Sequence, residues 1–112
     1  MPTSAGLARR FAAETLHRWG CDGVGEVVGL LVSELVTNAV LHARSDIDVV
    51  LTHPGNRIRV EVSDGSAGQP IVRRYTGDSM TGRGLALVEE LSTQWGVNSD
   101  PPGKTVWFEL AV

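Results

Sequence analysis

Three polar side chains, Glu34, Asn38 and His42, recur at i, i+4 and i+8 in a stretch otherwise dominated by Val, Leu and Ala. At ~100° per residue this spacing stacks them along one stripe of a helix. An acid, an amide and an imidazole in line have two readings. One is a stripe that faces solvent. The other is a polar seam beside a core, where Glu34 and Asn38 offer oxygen to a hard cation. Mg2+ takes a few protein oxygens and fills its remaining positions with phosphates and water. Taken alone the stripe is more readily the first reading, but its apolar company weakens that reading. So does Asn38 itself, a weak helix former that needs a reason to stand mid-helix.

Three further segments carry chemistry-bearing patterns. Ser63-Asp64-Gly65-Ser66-Ala67-Gly68 follows an apolar alternation and is either a plain strand-ending turn or an acceptor site. In the second case Asp64 accepts a hydrogen bond from an exocyclic amine, and the glycines let the backbone approach a flat ring. Thr81-Gly82-Arg83-Gly84-Leu85 opens a helical pattern. Backbone N–H groups there, with the helix dipole, suit phosphate. It is neither a Rossmann fingerprint nor a P-loop, since the third glycine and the Gly-Lys-Ser/Thr are missing. Gly103-Lys104-Thr105 opens the last strand and taken alone is a hairpin end.

Helices and hairpins must position these groups. Leu7, Phe11, Thr15 and Leu16 recur at helical spacing, which predicts a helix over Leu7 to Trp19, ended by Gly20. A second helix over Glu26 to Ala43 carries a broad apolar stripe through Val27, Leu30, Leu31, Leu35, Val36, Ala39 and Val40. Period-two alternation predicts strands over Asp46 to Thr52 and Arg57 to Ser63, joined by His53-Pro54-Gly55-Asn56 as an antiparallel hairpin. A short strand near Ile71, a third helix over Gly84 to Thr93, and a closing hairpin of Trp95 to Asn98 with Lys104 to Val112 follow. Trp95 and Trp107 are assigned to the core, with an exposed association surface as the alternative. The expected fold class is an α+β two-layer sandwich, with helices on one face of a mixed, mostly antiparallel sheet.

Composition sets the outer bounds. The 112 residues suit a single domain spanning 1–112, and the hydrophobic fraction of 42% supports a core. The net charge of −3 argues against non-specific nucleic-acid binding. The one cysteine, Cys21, excludes an internal disulfide and a cysteine-rich zinc site, and points to a reducing, cytoplasmic compartment. The apolar run from Val27 to Val32 is shorter than the ~20 residues of a membrane span, and Met1 to Arg10 lacks a signal-peptide core.

In this order, the segments resemble the Bergerat-fold ATPases, the superfamily of sensor histidine kinases and gyrase-type topoisomerases. Within it they look most like the small bacterial anti-sigma regulatory factors, which are serine/threonine protein kinases. Glu34-Leu35-Val36-Thr37-Asn38-Ala39-Val40-Leu41-His42-Ala43 looks like the N box. Asp64 with Gly65 and Gly68 looks like the first glycine box, Gly82-Arg83-Gly84-Leu85 like the second, and Trp95-Gly96-Val97 with Gly103 to Leu110 like the closing hairpin.

The resemblance implies a site residue by residue. Asn38 would bind the Mg2+ that bridges the phosphates of ATP, with His42 in the pocket wall. Glu34 would be the general base or orient the nucleophile. Asp64 would accept a hydrogen bond from the adenine amino group, and Thr105 would support that contact directly or through water. Gly82, Arg83, Gly84 and Leu85 would lie over the phosphates. A short lid, Gln69 to Thr81, carries Arg73 and Arg74. The family's N-terminal strand has no counterpart in Met1 to Gly6.

The function so implied is an ATP·Mg2+-dependent kinase that sequesters a sigma factor and phosphorylates an antagonist of the anti-anti-sigma type, as a homodimer. Three alternatives stand beside it. One is a nucleotide-dependent binding module without phosphoryl transfer. Another is a detached histidine kinase catalytic domain, against which His17 reads as a surface residue with no acidic sequence neighbour. The last is a fold that no longer binds nucleotide.

Overall fold

The structure, a computed structural model, describes residues 4–42, 47–64, 86–100 and 103–112. Two helices, α1 (Ser4–Arg18) and α2 (Gly25–His42), lie in sequence before four strands, β1 (Ile47–Thr52), β2 (Arg57–Asp64), β3 (Gln94–Asp100) and β4 (Gly103–Ala111). A further helical turn and a half, α3, covers 86–91. The sheet runs in the order β1-β2-β4-β3, and each described pair is antiparallel. The architecture is the expected α+β two-layer sandwich.

Helix α1 ends on a glycine for a backbone reason. Gly20 has φ +72, which only glycine adopts without strain. That conformation turns the Gly20 N–H to the His17 carbonyl and the Cys21 N–H to the Leu16 carbonyl, at 3.1 and 2.8 Å. Leu16 and Cys21, both buried, close the apolar contact that accompanies this cap. The hairpin of β1 and β2 reverses through Gly55 at φ +61, with the Arg57 N–H on the Pro54 carbonyl. A positive φ at the first central position matches the twist of the strands it joins.

The core lies between the helices and one side of the sheet. Val28, Leu31, Val32, Leu35 and Val36 of α2 meet Ile58, Val60 and Val62 of β2 and Val106, Phe108 and Leu110 of β4. Among the described residues α2 is the one helix long and apolar enough to cross a membrane, with mean hydropathy 1.4 over Asp22–Val40. Its buried stripe identifies it as the core helix of the sandwich.

Three expectations shift. On α1 the buried face is Ala12, Thr15 and Leu16, while Leu7 and Phe11 are exposed. Small residues Ala5, Ala8 and Ala12 let α1 sit closely on α2, where a Cβ added at Gly29 would stand 3.1 Å from Arg9 Nε. Helix α3 stops at 91 rather than Thr93, because the Ser92 hydroxyl turns back to the Val88 carbonyl and the Thr93 N–H is taken by Glu109 of β4. Neither Trp95 nor Trp107 is a core residue. Trp95 is exposed on the edge strand, and Trp107 lies on the sheet face turned away from the helices. The expected strand near Ile71 lies outside the described residues.

Candidate functional site

Topology gathers the polar residues at one end of the sandwich. Helix α2 ends at His42 and β1 begins at Ile47, so the last turn of α2 and the start of β1 share that end. Ile47 stands opposite Asp64 on β2, and Asp64 stands opposite Lys104 on β4. Glu34 and Asn38 thus approach from the helix layer, and Asp64 and Lys104 from the two central strands.

Asn38 is only 5% exposed, and its Oδ1 accepts no hydrogen bond. Leaving such an oxygen unsatisfied costs about 1–3 kcal/mol. The core helix keeps it because Leu35 and Ala39 on either side are buried and hold the backbone there. A buried carbonyl-type oxygen without a donor is the chemistry a hard cation requires. Glu34 is half-buried one turn earlier, about 6 Å back along the axis. The residues present therefore fit a Mg2+, which Asn38 Oδ1 would ligate. His42 is the last residue of α2, and its side chain lies outside the described residues.

Asp64 is 8% exposed and ends β2 on the helix-facing side, in phase with the buried Ile58, Val60 and Val62. Thr105 is out of phase with it. It stands opposite Ser63, with the two hydroxyl oxygens 2.8 Å apart, on the other face of the sheet. The register thus sets Thr105 opposite Ser63, the strand neighbour of Asp64, rather than opposite Asp64 itself. Lys104 occupies the opposing position. Burial pulls its ammonium below the ordinary lysine range, and the charge of Asp64 acts against that. Sequence reading passed over Lys104. The available signal was parity: in an antiparallel pair, a side chain directly opposite Asp64 shares its face.

Gly65, Gly68, Gly82, Arg83, Gly84 and Leu85, with Arg73 and Arg74, lie outside the described residues. His17 is exposed as expected, and an acidic partner reaches it in space: Nδ1 is 3.2 Å from Asp22 Oδ1. It sits at the end of α1, next to the start of α2, with most of α2 separating it from Asn38.

The open face of the sheet holds a separate charged network. Glu109 accepts from Arg57 and Arg59, both at 2.9 Å, and Arg59 also donates to Glu61 at 2.9 Å. These bonds hold the Glu109 carboxyl below its ordinary range, first through Arg57 and then Arg59, against the opposing effect of burial. The Arg59 guanidinium lies 4.2 Å over the Trp107 ring.

Comparison with known proteins bears on the fold as a whole. The family model described as the histidine kinase-like ATPase domain matches residues 1–110. No curated protein matches significantly. Among solved structures, the chain is similar to the histidine kinase domain from the Erythrobacter litoralis EL346 blue-light activated histidine kinase. The two are 27% identical with a TM-score of 0.62, over 79% of this chain and 44% of that one. This chain therefore spans less than half the length of that relative.

Proposed function

Given that the chain belongs to the histidine kinase-like ATPase domain family, we propose that it is an ATP·Mg2+-binding regulator of the anti-sigma type. In this reading it phosphorylates a serine or threonine on an antagonist protein and sequesters a sigma factor, as a cytoplasmic homodimer. The observation that carries the nucleotide part is the donorless buried oxygen of Asn38, one turn from Glu34 and at the same end as Asp64.

Each residue has a defined task. Asp64, whose carboxyl oxygens accept, takes the hydrogen bond of the adenine 6-amino group. Asn38 holds the metal, which when bound neutralises phosphate charge. Glu34 accepts the proton of the attacking hydroxyl as its oxygen bonds to the γ-phosphorus and the bond to the β-phosphate oxygen breaks, releasing ADP. Gly82, Arg83 and Gly84 cover the phosphates in this scheme, with Gly65 and Gly68 beside the base.

Calorimetric titration with ATP and Mg2+ tests the nucleotide part. Heat of binding that vanishes in D64A supports it, and no heat together with no thermal shift overturns it. Incubation with labelled ATP and candidate antagonist proteins tests the transfer. Label on a partner serine or threonine, lost in E34A, supports kinase action. Regulation that survives E34A but fails in D64A assigns the chain to the binding modules.

The similarity to a histidine kinase domain favours one second reading. There the chain is a detached catalytic domain, and acid-labile label appears on a partner histidine instead.

A further inference from the structure

Lys104 is the residue at this end of the sandwich to which the nucleotide scheme gives no task. Strands β2 and β4 are the two inner strands, and their register sets Lys104 directly opposite Asp64 on the helix-facing side. Directly opposed side chains have Cβ atoms about 4.5–5.5 Å apart, within reach of an ion pair for a lysine. One pair further in, Val62 and Val106 are buried and keep water from the inner side. Burying a carboxylate, as at Asp64, is costly unless a counter-charge is near. The opposing positions supply that charge.

Donor and acceptor chemistry limits what Lys104 can do. An ammonium only donates, and the 6-amino group of adenine only donates as well, so the two cannot bond each other. Asp64 can bond both, with separate lone pairs. We infer that Lys104 is a positioning residue for the nucleobase, its ammonium pairing with the Asp64 carboxylate and turning it so that an oxygen is presented to the adenine amine. This rests on the reading of Asp64 as the amine acceptor.

The inference makes base selectivity, rather than affinity alone, depend on Lys104. The test compares ATP with purine riboside triphosphate, which lacks the 6-amino group, each with Mg2+. Calorimetric Kd values are measured on the full chain for wild type, K104M and K104R. The wild type is expected to prefer ATP by roughly tenfold or more, the worth of a hydrogen bond to a charged group. In K104M the preference falls to within about twofold, and in K104R, which keeps the charge, it returns. A K104M that weakens both nucleotides in proportion, leaving the ratio intact, overturns the inference, because a merely structural role moves both equally. If K104M does not fold, K104Q reads the same ratio. A wild type that binds no ATP removes the nucleotide reading itself. A wild type that binds ATP without preference overturns the Asp64 assignment and Lys104 with it. A preference that K104M leaves unchanged overturns Lys104 alone.

Discussion

A single atom, Asn38 Oδ1, sets stability against function at the residue scale. It is buried and accepts no hydrogen bond, so the fold carries its desolvation cost. Replacing Asn38 by leucine, of similar size, removes that cost. N38L is expected to stabilise the chain by about 1 kcal/mol, seen in urea unfolding, while Mg2+-dependent ATP binding disappears. Glu109 shows the opposite case, a polar group that the fold satisfies. Its carboxyl is held below the ordinary value of 4.5, so its stabilising effect is complete above that value and is lost as pH falls through the folded one. Below about pH 4.5 the wild type should lose stability more steeply than E109Q, which has no proton to take up there; acid unfolding followed by circular dichroism compares the two. That Asn38 and Glu34 share one stripe of a helix was legible from spacing, because helical periodicity is local, whereas the roles given to them came from the resemblance to the N box. Lys104 was not legible in either way. Its relation to Asp64 depends on which residues of β2 and β4 face each other, and some forty positions separate them in the chain.

Elements were legible where a backbone rule fixes them. Gly20 and Pro54-Gly55-Asn56 announce an end and a reversal, and both glycines adopt the positive φ those roles demand. Substituting Gly20 by alanine forces a Cβ into that conformation and is expected to cost about 1 kcal/mol, or roughly 4–8 °C in melting temperature by calorimetry. The misplaced face of α1 has the reverse cause. Leu7 and Phe11 satisfy a hydrophobic pattern, yet close helix packing selects the alanines. Gly96 on β3 is a sheet counterpart. A Cβ there would stand 2.7 Å from Trp107 Nε1, so G96A must displace the indole from beneath Arg59. The expected loss is about 1–2 kcal/mol in denaturant unfolding, with a shift in tryptophan emission.

At the scale of the whole molecule, the two sides of the sheet divide the work. The helix-facing side holds the core and, at one end, the polar residues of the candidate site. The other side is stiffened by charge pairs and a cation over a ring. That division was legible in outline, since alternation along β2 already separates Ile58, Val60 and Val62 from Arg57, Arg59 and Glu61. Which end holds the site depended on chain connectivity, through the short passage from α2 into β1.

The strand order adds a consequence in time. β4 comes last among the strands in sequence, yet in space it lies between β2 and β3. While the chain is being synthesised, β2 has an open side until Gly103 to Ala111 has left the ribosome, and Asp64 waits that long for the residue opposite it. Such distant pairings are slow to form. Helices and the first hairpin can assemble early, but an intact nucleotide end cannot. A chain halted before Gly103 would lack one of the two inner strands, so ATP binding would report that β4 had been made and paired.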